Sequence, residues 1–270
     1  MFDLMLYPLL ALLGIAVLSG PYGCQMIWHR LACLGDALSH GALLGLSFGV
    51  IMNLPKGISL FLLSVVWALF LWLLTRKRNA STDTILAFLT QSSMALAILL
   101  YAMNGDNHAP LMHAFLGDVL LTTKEDVLFI FGLDIVLGLI LLFCWKKWLL
   151  IAINPDLASA QKFSVSFYTF LFFASIGFFV ANSMQYLGAL LAPAFFVMPP
   201  LIARPLSNTP RKMALFSSII ALLSAYLGAV ISYYFDLPTG AAIIAVNLSL
   251  YCIEFFVLFI KKMLIKKAYN

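Results

Sequence analysis

The sequence predicts an all-α polytopic membrane protein of eight to nine transmembrane helices, and three observations predict it. Hydrophobic residues make up 63% of the chain and charged residues 10%, with a mean hydropathy of +1.03, a balance outside the range of soluble globular domains. The apolar residues fall in runs close to the roughly 20 residues needed to cross the hydrocarbon of a bilayer. The basic residues gather in alternate loops, as retention of Lys and Arg on the cytoplasmic side requires.

The runs lie in order at 5–27, 31–52, 58–75, 84–103, 126–145, 164–183, 187–203, 213–234 and 239–260. The first follows MFDLMLYPLL, which carries an acid in place of a basic n-region and no small-residue cleavage site, so it is read as a retained span. The seventh is interrupted by Pro193, Pro199 and Pro200; it is broken or re-entrant if it does not cross, and the count is then eight. Nine spans with the N-terminus outside give a nearly clean partition of charge. Arg30, Arg76, Lys77, Arg78, Lys146, Lys147, Lys162, Arg204, Arg211, Lys212, Lys261, Lys262, Lys266 and Lys267 then face the cytoplasm, and only Lys56 and Lys124 face outward. The loops NGDNHAP and YYFDLPTG, poor in base and rich in turn formers, fall outside.

The net charge of +5 is therefore topological, and no nucleic-acid partner is expected. Cys24, Cys33, Cys144 and Cys252 show no CxxC spacing, so they read as packing residues and suggest neither a disulfide framework nor a zinc cluster. No repeat, linker or low-complexity stretch divides residues 1–270, which are read as a single domain embedded in membrane lipid.

The second span holds the residues of greatest chemical interest. Asp36 and His40 stand one helical turn apart in LACLGDALSHGALLGLSFGVIM. An ionisable group at bilayer depth costs roughly 2.5–3.5 kcal/mol on insertion scales, so it usually faces a bundle interior or a polar path. At about 100° per residue, Asp36, His40, Leu43 and Ser47 share one side of the helix, whereas Gly41, Gly45 and Gly49 line another. The glycine stripe lets a neighbouring backbone approach closely. The other face is expected to look onto something polar. From the residues alone two readings of the pair stand: a carboxylate at a helix start satisfied by a neighbouring imidazole, or two of the donors of a divalent-cation site.

Other intramembrane polar residues carry less. Asp134 and Glu254 are isolated, each an interfacial group or a partner to a neighbouring helix. Gln91, Ser92 and Ser93 suit interhelical hydrogen bonds. His108 and His113 flank the outer loop HAPLMH, where solvated histidines need no further role and metal capture is the alternative. Between the fifth and sixth spans, Asn154 to Gln161 reads as a short cytoplasmic helix, with Asn154 as N-cap, Pro155 at the first helical position and Asp156 at the positive helix end.

Several segments together carry a resemblance: GPYGCQMIWHRLACLGDALSHGALLG at 20–45, STDTILAF at 81–88, FLGDVLLTTKEDV at 115–127, INPDLA at 153–158, LGALLAPAFFVMPPLIAR at 187–204 and YYFDLPTGAAI at 233–243. In order and spacing the chain resembles the transmembrane permease subunits of bacterial metal-ion ABC importers, and their zinc-uptake branch in particular. The resemblance implies a multi-pass protein of the bacterial cytoplasmic (inner) membrane. It places Asp36 and His40 on the metal pathway, and Pro155, Asp156, Leu157 and Ala158 on a coupling helix that contacts the ATPase. It further implies a homodimer, cytoplasmic ABC ATPase subunits and an extracytoplasmic metal-binding protein, with a transported divalent metal, zinc, in place of any permanently bound cofactor. Lys162 stands where the family commonly has glycine, and Gln91 where zinc-type chains can show histidine. Manganese and iron(II) remain alternatives, since imidazole and carboxylate serve all three metals.

The chain itself is not expected to be an enzyme. It has no GxxxxGK[ST] loop to cradle phosphates, so ATP hydrolysis belongs to a partner chain. No HExxH or nucleophile-base motif points to a membrane metalloenzyme. The rival class is an ion-coupled secondary transporter, which would work without an ATPase and often shows inverted repeats.

Overall fold

The computed structural model describes residues 2–76, 81–103, 115, 117, 119, 122–161 and 163–268. Among them are ten helices and no strand: α1 (Phe2–Trp28), α2 (Leu34–Ile51), α3 (Lys56–Arg76), α4 (Thr82–Met103), α5 (Lys124–Ile153), α6 (Pro155–Ala160), α7 (Val165–Leu187), α8 (Ala192–Ala203), α9 (Pro210–Phe235) and α10 (Thr239–Ala268). Eight of them are long and apolar enough to cross a membrane, and α8 is a shorter apolar helix.

Why α8 is short follows from its residues. Gly188 ends α7 at a φ of 86°, a conformation that glycine adopts without steric strain, and Pro193 is tolerated only because it sits in the first turn of α8. The 12 residues of α8 span about 18 Å, well short of the hydrocarbon thickness. Yet the segment carries the chain from one end of the bundle to the other. Leu191 meets the start of α10 at Gly240, while Ala203 packs with Cys24, Met213 and Ala214 at the ends of α1 and α9. The expected broken span is thus a short ninth pass. Eight long helices alone would have put Lys261 and Lys262 at the opposite end from Lys146 and Lys147.

Two helices outrun their predicted spans. α5 continues through Lys146 and Lys147 to Ile153, so its 30 residues measure about 45 Å, beyond the hydrocarbon of a typical bilayer. α10 likewise runs on through Lys261 and Lys262. The extra length of α5 remains packed: Trp148 is fully buried and its Nε1–H donates to the Tyr168 carbonyl at 2.9 Å, while Lys147 bonds the Tyr168 hydroxyl.

α1 and α2 are the most enclosed crossings. α1 lies against α5, α8 and α9, and α2 against α3, α4, α7 and α8. The glycine stripe of α2 meets α3, as its spacing predicted. A Cβ on Gly41 would stand 2.0 Å from Trp67 Nε1, one on Gly45 2.6 Å from Leu63 Cδ2, and one on Gly49 2.3 Å from Ser59 Oγ. The Trp67 Nε1–H also donates to the Ala37 carbonyl at 2.9 Å, which pins the indole where a side chain at position 41 would go. Gly41→Val is expected to lose about 1–3 kcal/mol to overpacking. The melting temperature of the purified chain in detergent measures it; an unchanged value would contradict this packing.

Candidate functional site

The site grows from the first two turns of α2. Cys33 precedes the helix with already helical angles, φ −77° and ψ −1°, and its side chain makes no capping hydrogen bond. Asp36 falls in the first turn, where the helix dipole favours a carboxylate. It is half-buried. His40, one turn deeper, is only 8% exposed, and its Nδ1 has no hydrogen-bond partner. A buried imidazole nitrogen without a partner is an available donor to a cation.

Beyond His40 the face closes. Leu43 and Ser47 are buried, and the Ser47 hydroxyl donates to the Leu43 carbonyl at 2.9 Å and reaches the Ala97 carbonyl of α4 at 3.4 Å. The polar surround expected along this whole face is therefore confined to its first two turns, because α4 covers the rest. On another side, Gly35 brings Pro193 of α8 close: a Cβ there would lie 3.2 Å from Pro193 Cα. The short helix thus flanks the start of α2.

The other sequence-selected residues do not join this pair. Asp134 lies on α5 against Gly14 of α1, and Glu254 lies on α10; each has one buried carboxylate oxygen without a partner. Gln91 is exposed on α4, Ser92 partly so, and the buried Ser93 bonds the Leu89 carbonyl. His108, His113 and Lys162 lie outside the described residues. Cys24 and Cys144 are buried as packing residues, but Cys33 and Cys252 are exposed, against the sequence expectation. Among the described residues no three His, Cys, Asp or Glu side chains form a group able to hold a metal, so α2 presents two donors of an open site.

At the end of α5 the predicted cap is present. Asn154 Oδ1 accepts from the backbone N–H groups of Asp156 at 2.9 Å and Leu157 at 3.0 Å, and Pro155 opens the helix. Asp156 and Leu157 are exposed, Pro155 also, whereas Ala158 is fully buried. Ala158 seats α6, which touches both α5 and α7. His29, which the sequence did not single out, stacks on Phe172 of α7 with ring centroids 4.7 Å apart. Burial pulls its imidazole down to about 4, so it stays neutral and packs like an aromatic ring. Its neighbours Trp28 and Trp148, abundant at one end of the bundle, were the signal that could have found it.

The chain belongs to the ABC 3 transport family, whose model matches residues 1–258. It is a multi-pass membrane permease of a bacterial metal-ion ABC importer, and the ATPase is a separate subunit, as the resemblance implied. It is 26% identical over 257 residues to the high-affinity zinc uptake system membrane protein ZnuB of Haemophilus influenzae, covering 95% of this chain and 98% of that one. It is also 26% identical over 249 residues to the manganese import system permease protein ScaB of Streptococcus gordonii, covering 92% and 89%. The fold matches that of PsaBC from Streptococcus pneumoniae in complex with Fab, at a TM-score of 0.84 and 24% identity over 94% of this chain and 91% of that one. Family membership implies a complex with an ATPase and a binding protein.

Proposed function

We propose that this permease carries zinc inward past Asp36 and His40, as one of two identical copies fed by an extracytoplasmic metal-binding protein. The observation that carries the reading is His40: an imidazole 8% exposed, its Nδ1 without a partner, one turn from a half-buried carboxylate in an otherwise apolar span. Two such donors from each copy would supply the four that zinc favours. Zinc is supported by the imidazole, by the resemblance of the sequence, and by the zinc uptake system to which the Haemophilus influenzae relative belongs. Manganese is the second reading, supported by the Streptococcus gordonii relative and by the carboxylate, which suits that metal as well.

Energy enters through α6. Pro155, Asp156 and Leu157 present its exposed side to the ATPase, with Ala158 holding the helix in place. ATP binding then biases the permease between two arrangements, which requires contacts that differ between them. The test is uptake by liposomes containing the chain with its ATPase and binding protein. Zinc is expected to enter only with ATP present, and manganese at least about tenfold more slowly. Uptake driven by an ion gradient without ATPase would favour a secondary transporter, and faster manganese entry would favour the second reading.

A further inference from the structure

We propose that Cys33 and Asp83 form, with Asp36, a thiolate-containing station for a thiophilic divalent cation at the mouth of the path whose inner donor is His40. The inference rests on the transport reading above and deepens it.

The argument begins with register. Cys33, Asp36 and His40 fall at i, i+3 and i+7, within about 60° of one another around the helix, and the helical angles of Cys33 extend the geometry of α2 to that residue. Ser47 meets Ala97 across an interval of 50 residues, and the same interval sets Cys33 level with Asp83 in the first turn of α4. The electrostatics agree: burial and then the charges of Asp36 and Asp83 push the Cys33 thiol up. A cation among these groups would reverse that effect, drawing the thiol proton into solvent as the sulfur binds.

Neither added residue is occupied by a structural task at its helix start. Cys33 is exposed and caps nothing. The start of α4 is served by Ser81, whose hydroxyl accepts the Thr84 N–H at 3.2 Å and pairs with the Thr84 hydroxyl at 2.7 Å, so Asp83 is left facing outward. The partnerless Nδ1 of the buried His40 lies deeper on the same stripe. Carboxylate and imidazole accept zinc and manganese alike, but a thiolate selects the softer ion. The station therefore discriminates zinc from manganese. Because no three of these donors converge on one point among the described residues, they close on a cation as it passes.

Cobalt(II) added to the full-length permease in detergent tests this, since sulfur-to-cobalt charge transfer absorbs only when a thiolate is a ligand. The unaltered chain is expected to show that absorption, Cys33→Ser to lose it, Cys252→Ser to keep it and Asp83→Asn to need several-fold more cobalt. In the reconstituted complex, Cys33→Ser is expected to lower the ratio of zinc to manganese uptake several-fold. No charge-transfer band in the unaltered chain, or a band that survives Cys33→Ser, overturns the station. Loss of the transport reading is a separate result: it would appear as undiminished uptake by Asp36→Ala and His40→Ala, whatever cobalt does.

Discussion

His40→Ala is expected to lower ATP-driven zinc uptake by at least about 100-fold, since even groups one step removed from a metal are worth 10–100-fold in affinity. The permease itself should survive the change. Nδ1 of His40 has no hydrogen-bond partner to lose, and alanine is the residue best tolerated inside a helix. Asp36→Ala should behave alike, for a carboxylate in the first turn contributes only about 0.3–1 kcal/mol to its helix. The measurement is zinc uptake beside co-purification of the ATPase: uptake lost and assembly kept is the expected pattern. Loss of both would assign the residues to folding.

Leu157→Asp is expected to separate the permease from its motor. Leu157 is 57% exposed on α6, an apolar side chain with little to hold in the isolated chain. Truncation or replacement of a central interface residue typically costs about 2–4 kcal/mol of binding, and a carboxylate buried in a partner's groove adds desolvation to that loss. The ATPase should then bind at least about thirtyfold more weakly, and uptake should stop, while the melting temperature of the permease alone stays the same. The cap is the internal control. Asn154→Ala removes the two hydrogen bonds that start α6 and is worth only about 1 kcal/mol, so it should weaken coupling without abolishing it. An unimpaired Leu157→Asp complex would move the contact elsewhere.

Most of the fold could be read from hydropathy because a membrane crossing must be long, apolar and internally hydrogen-bonded. The limits of that reading are physical too. Lys146 and Lys147 mark where apolar sequence ends, but a helix need not stop where lipid does, and α5 runs on to Ile153 because Trp148 still has a place to pack. The prolines of α8 announced an interruption; only the position of Ala203 beside Met213 showed that the short helix completes a pass. Asn154 and Pro155 were legible because capping is local chemistry. The face of α2 was legible only in part. A helical wheel sorts residues by direction but cannot name the neighbour, and α4 turned out to cover Leu43 and Ser47 while leaving Asp36 partly open.

X-ray absorption of the zinc-loaded, ATP-free complex tests the central claim most directly. The account predicts imidazole scattering around the zinc that His40→Ala removes, with a lower coordination number in Asp36→Ala. A zinc spectrum identical in the unaltered complex and both variants would contradict it.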